Sequence, residues 1–104
     1  MTASEKRRQI LKEAWVGDAV LGLYARLRIL RESNAVDSER LEKMTSNQFL
    51  AGFGEPSEVE ASIGRVFERD GLEAAFAWIE EQLIPGFLRQ EQKRLRALGH
   101  FSRK

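Results

Sequence analysis

With 104 residues, 42% of them apolar, the chain fits one domain with a modest hydrophobic core of its own. Cysteine is absent, which excludes both a disulfide framework and a thiolate metal site. The net charge of +1 is near balance, no run approaches the about 20 consecutive apolar residues that span a bilayer, and Met1 to Arg8 lacks the apolar stretch of a secretory signal. These features predict a cytoplasmic protein that needs no membrane.

Eight glycines, two prolines and the lack of any alternating β-branched run predict an all-α fold of about five helices. The first is expected from Ser4 or Glu5 to about Arg31, with Ile10, Leu11, Ala14, Trp15, Ala19, Val20, Leu23, Tyr24, Leu27 and Leu30 apolar. From Ala14 to Leu30 the apolar residues cover most of the circumference, which suits a helix contacted both by its own core and by another subunit. Gly17 is where this helix is expected to bend or break. Glu32 to Val36 forms a connector, after which Asp37 or Ser38 caps a second helix to about Ala51, with Leu41, Met44 and Phe49 facing inward. Gly52-Phe53-Gly54-Glu55-Pro56 ends it.

A third helix follows from about Ser57 to Arg69 with Val59, Ile63, Val66 and Phe67 as its stripe, and Asp70-Gly71 makes the next turn. Leu72, Ala75, Phe76, Ile79 and Leu83 define a fourth helix that stops before Pro85, and a fifth runs from Gly86 to about Leu98. Charge is unevenly spread. Residues 53–81 carry eight acidic and two basic side chains, whereas residues 86–104 carry one acidic and six basic. The basic tail, Arg89, Lys93, Arg94, Arg96, Arg103 and Lys104, has the chemistry to neutralise RNA phosphates and equally that of a solvated surface helix.

One carboxylate stands out. Asp18 sits inside Ala14-Trp15-Val16-Gly17-Asp18-Ala19-Val20-Leu21-Gly22-Leu23-Tyr24, an otherwise apolar helix. Burying an unpaired carboxylate costs several kcal/mol, by a rough figure, so Asp18 must meet a cation such as Arg65, accept hydrogen bonds, or line a wet site.

That string resembles the signature of the ribonuclease III catalytic domain, an apolar helix with an aromatic residue followed by Gly-Asp-Ala-Val-Leu. Ser46-Asn47-Gln48-Phe49-Leu50-Ala51 is similar to the family's Ser-Asn-x-x-Leu-Ala helix. Glu60-Ala61-Ser62-Ile63-Gly64, with Val66-Phe67 and Gly71 to Ala75 after it, is similar to its Glu-Ala-Leu-Ile-Gly helix and the one that follows. The pieces stand in family order over residues 10–85. The resemblance implies an Mg²⁺-dependent endoribonuclease, with Mn²⁺ as a substitute ion, that cuts double-stranded or structured RNA as a homodimer. Mg²⁺ takes oxygen ligands, typically one or two carboxylates with waters and a phosphate oxygen, so Asp18 and Glu60 are the implied catalytic metal ligands.

The chain also departs from that pattern. The larger family members carry acids where this chain has Leu11 and Ala14, and a third where it has Ser57. Glu13 is no replacement, since five residues from Asp18 it projects about 140° away around the helix. The compact mini-ribonuclease III branch is closer at these positions, with Ala-aromatic-aliphatic-Gly-Asp in the first helix and a small hydroxyl residue three before the glutamate. Only 42 positions separate Asp18 from Glu60, fewer than in either branch, so the fold is shortened between its acidic motifs.

Several residues admit two readings. Ser57 and Glu60 form a Ser-x-x-Glu pattern that a capping box explains without a metal. Trp15, with Val16 and Ala19 beside it, resembles the aromatic that enters a pocket of the partner subunit, and also suits a place in its own core. Asn47 is either near the site or solvent-facing. His100 has no evident role. Function then divides between an endoribonuclease, a non-catalytic dimer of the same fold that binds RNA or protein, and a helical interaction module unrelated to RNA.

Overall fold

The computed structural model describes residues 1–102, and their side chains as far as Gly99; Arg103 and Lys104 of the basic tail lie outside the described residues. Every element among the described residues is helical: α1 (Ala3–Ser33), α2 (Ser38–Thr45), α3 (Asn47–Leu50), α4 (Pro56–Asp70), α5 (Leu72–Gln82) and α6 (Ile84–Ser102). None is long and apolar enough to cross a membrane.

Local chemistry sets the boundaries. Thr2 caps α1 through a reciprocal box with Glu5, each bond 3.1 Å, so the helix starts slightly earlier than its apolar pattern suggests. It ends where Asn34 adopts a left-handed φ of 54° and donates its N–H to the Leu30 carbonyl. Asp37 caps α2 by accepting from the Arg40 N–H at 2.9 Å. The expected single helix to Ala51 is in fact two. Ser46 is extended at φ −70°, ψ 152°, ends α2, and turns its hydroxyl to accept from the Phe49 N–H, opening α3. Serine's short hydroxyl offers the backbone this alternative partner, which the apolar spacing of Met44 and Phe49 does not register. Pro85 lies in the first turn of α6, where its missing N–H costs nothing, and α6 therefore begins before Gly86.

The core lies among α1, α4, α5 and the start of α6, closed at one end by α2 and α3. Leu21, Met44, Leu50, Ile63, Ile79, Leu83 and Phe87 are fully buried. Tyr24 meets Phe76 edge-on, and Phe49 meets both Phe53 and Phe87 in the same way. A polar chain runs over this core: the Tyr24 hydroxyl donates to Glu80 and accepts from Arg28, Arg28 pairs with Glu32, and Arg40 bridges Glu32 to Glu91 on α6. Burial pushes the Tyr24 hydroxyl above the usual phenol range. The Arg40 guanidinium also lies 5.6 Å over the Phe87 ring.

The decisive packing is between α1 and α4. The first helix runs unbroken through Gly17, whose role is to admit another backbone. A Cβ at Gly17 would lie 1.7 Å from the Glu60 carbonyl oxygen, and one at Gly64 would lie 2.0 Å from that of Glu13. Both distances are to main chain, so no side-chain rotation relieves them. Gly→Ala normally favours a helix interior by about 1 kcal/mol; here overpacking costs about 1–3 kcal/mol and requires the helices to part. Gly17→Ala and Gly64→Ala are therefore expected to lower the melting temperature in circular dichroism. A gain in stability from either would refute this close approach.

Candidate functional site

The Gly17 and Gly64 contact brings the side chains next to it face to face. Asp18 follows Gly17 on α1 and is exposed; Glu60, whose carbonyl abuts Gly17, is half-buried on α4. Their carboxyl groups are within hydrogen-bonding reach. Burial, then the hydrogen bond and charge of Asp18, then the charge of Glu55, raise the Glu60 carboxyl to about 7. Around neutral pH, Glu60 therefore passes between its protonated form, which can donate to Asp18, and its ionised form, which repels it.

Among the described residues neither Asp18 nor Glu60 forms an ion pair. Arg65, the expected partner of Asp18, instead donates to Glu13 at 2.8 Å and to the Ser62 hydroxyl at 3.2 Å. Glu13 also accepts from Gln9, so it is occupied on the side of α1 turned from Asp18.

The expected capping box of Ser57 and Glu60 does not form. The helix starts at Pro56, and Glu55 is its cap, accepting from the Glu58 N–H at 2.9 Å. Proline's preference for the first helical position moves the start one residue upstream of Ser57. Glu60 is thereby left facing α1. Ser57 is half-buried in the first turn of α4, and Asn47 is exposed at the start of α3. No hydrogen bond among the described residues joins either to Asp18 or Glu60. Nor do those residues include any group of three or more Asp, Glu, His or Cys side chains placed to hold a metal ion; the pair stands as two carboxylates.

Beside the pair lies an apolar surface. Trp15 is 83% exposed, which excludes the reading of it as a residue of its own core. Leu11, Trp15, Ala19, Leu23 and Leu27, spaced by four, form an exposed stripe along α1. A depression of about 680 Å³ is lined by Trp15, Val16, Ala19, Leu23, Phe67 and Leu72, with Asp18 on its wall. Leu72, expected inward on α5, is 38% exposed here because it contributes to this surface.

The basic residues of α6 divide between two faces. Arg89, Lys93 and Arg96 line a depression of about 520 Å³ with Phe53 and Gly86, whereas Arg94 lines a second groove together with Glu91 of α6 and Glu39 of α2. Three contributions escaped sequence reasoning: Glu55 as the cap, Phe53 as a surface aromatic, and Gly64 as the partner of Gly17. Two glycines inside strongly apolar helices were the available signal for the last.

No family model, curated protein or solved structure matches this chain.

The pH dependence of stability follows from Glu60. Its folded pKa of about 7 exceeds the ordinary 4.5, so the folded state binds the proton more tightly. The associated stability is present in full below the ordinary value and is lost as pH rises to about 7. Glu60→Gln removes this charge, and the variant is expected to melt higher than the parent at pH 8, with the gap closing by pH 5. Parallel melting curves for the two proteins across that range would refute the pairing.

Proposed function

We propose that this chain is a ribonuclease III-like endoribonuclease of the cytoplasm that hydrolyses phosphodiester bonds of double-stranded or structured RNA with Mg²⁺. The observation that carries the reading is the meeting of Asp18 and Glu60, 42 positions apart in sequence, with no basic side chain between them. Two adjacent carboxylates that share one proton at neutral pH are a poor structural device and a good place for a divalent cation.

The donor set fits Mg²⁺, which accepts one or two carboxylates and completes its shell with waters and phosphate oxygens. When bound there, such an ion supplies an activated water and offsets charge on the phosphate. Asp18 and Glu60 would hold it, Glu60 in its ionised form. The exposed position of Asp18 leaves the site open to a large substrate.

The same reading makes the α1 stripe the face of a homodimer, with Trp15, Val16 and Ala19 at its centre. An exposed tryptophan beside a shallow apolar depression is the kind of anchor that dominates interfaces. One observation favours a second reading, a dimer of this kind that binds RNA or protein without cutting it: Leu11, Ala14 and Ser57 stand where the larger family members have acids, and among the described residues no group of three acids is placed to hold a metal ion.

Cleavage of a labelled, perfectly paired RNA tests the first reading, with Mg²⁺ and then Mn²⁺. Cutting is expected from the parent and is expected to fall at least about a hundredfold in Asp18→Asn and Glu60→Gln, as for loss of a group that positions a metal-bound nucleophile. A folded parent that cuts nothing in either metal favours the binding reading. For the dimer, light scattering at micromolar concentration is expected to give twice the chain mass, and Trp15→Glu to give the chain mass. A monomeric parent removes both readings.

A further inference from the structure

The groove between the turn at Gly52 and Phe53 and the start of α6 has a composition that the paired-carboxylate site does not use. Arg89, Lys93 and Arg96 recur at helical spacing on one face of α6, forming a row about 10 Å long. None forms an ion pair among the described residues. The one acid nearby in sequence, Glu91, is turned to the other face and held by Arg40 at 3.0 Å. The row therefore presents uncompensated positive charge.

The opposite wall is aromatic. Phe53 lies over Gly86, where a Cβ would sit 2.6 Å from the ring, so this glycine lets the ring settle against the helix. The ring also meets Phe49 edge-on, which fixes its orientation, and the residue remains 39% exposed. The carboxamides of Gln90 and Gln92 complete the lining with groups that both donate and accept hydrogen bonds.

We infer that this groove binds a single-stranded stretch of RNA, with phosphates on Arg89, Lys93 and Arg96 and an unstacked base against Phe53. A basic row beside an exposed aromatic suits an unpaired strand, because in a duplex the base faces are already stacked and closed to the ring. Recognition of RNA here rests on the function proposed above, to which the groove adds a grip on unpaired nucleotides next to the duplex. Arg94 has no part in it, since it lies on the face shared with Glu39 and Glu91.

The test is fluorescence anisotropy with a labelled 12-nucleotide single strand and its blunt duplex, in chelator, on the Asp18→Asn protein, so that binding is read without cutting. The combined variant Arg89→Gln, Lys93→Gln, Arg96→Gln is expected to bind the single strand at least about tenfold more weakly, with a salt slope shallower by about 2. Phe53→Leu, which keeps an apolar side chain against Gly86, is expected to weaken the single strand by about fivefold or more and leave the duplex unchanged. Arg94→Gln is expected to bind as the parent does. Melting curves verify that each variant is folded.

Unchanged affinity and slope in the folded triple variant would overturn the inference, as would a Phe53→Leu protein with parental single-strand affinity. Binding to phosphatidylglycerol vesicles that is lost in the triple variant while its RNA affinity stays intact would overturn it too, making the groove a lipid surface. The two proposals fail separately: absence of cutting with this binding pattern intact removes only the nuclease, and cutting with no role for the groove removes only the groove.

Discussion

The contact between the backbones of α1 and α4 at Gly17 and Gly64 governs the rest of the molecule. At that crossing the two main chains are too close for any side chain between them. The nearest flanking side chains are consequently pressed together in pairs, Glu13 with Arg65 to one side and Asp18 with Glu60 to the other. The first pair is complementary in charge and adds to stability. The second is a pair of like groups, and it lowers stability whenever both ionise. A fold selected only for stability would have a cation at one of these positions, so the second pair is a local conflict of the kind that marks working sites.

The C-terminal half of α1 settles charge differently. There the chain of Tyr24, Arg28, Glu32, Arg40 and Glu91 alternates donors and acceptors from α5 across to α6. Arg40 and Glu32 hold each other's charge, and the Arg40 hydrogen bond keeps the Glu32 carboxyl below the usual carboxylate range. Burial of Ile84 and Phe87 fixes the rotation of α6 about its axis, and Glu91, one turn on from Phe87, then faces Arg40. Once Glu91 faces α2, helical periodicity turns Arg89, Lys93 and Arg96 toward the Phe53 turn. The basic row thus lies on the side of α6 turned away from its buried residues and its ion pair.

Much of this was legible in the residues. Period and punctuation placed the long helices within a few positions, and the isolation of Asp18 in an apolar helix marked it as a residue whose surroundings needed explaining. Boundaries decided by side-chain hydrogen bonds were harder to read. Ser57 and Glu60 matched a capping pattern, yet Pro56 and Glu55 had the stronger claim on that helix start; Ser46 split a helix that apolar spacing joined. Arg65 was a plausible partner for Asp18 by composition, and only the crossing of two helices assigns it to Glu13. The distance between Asp18 and Glu60 is a long-range property of packing, and local sequence carries it only through the two glycines.

Asp18 occupies the seam between two features that need not have been adjacent, the unneutralised pair and the apolar stripe led by Trp15. On the proposed reading this adjacency couples assembly to cation binding. A second copy seated on the stripe withdraws Asp18 from water, and two like charges become more costly as water is excluded. A divalent cation joining the carboxylates removes that cost, so binding and dimerisation reinforce each other by the reciprocity of linked equilibria. The destabilising pair on α1 and α4 is then also the point at which the metal, the proton and the partner subunit act on one another.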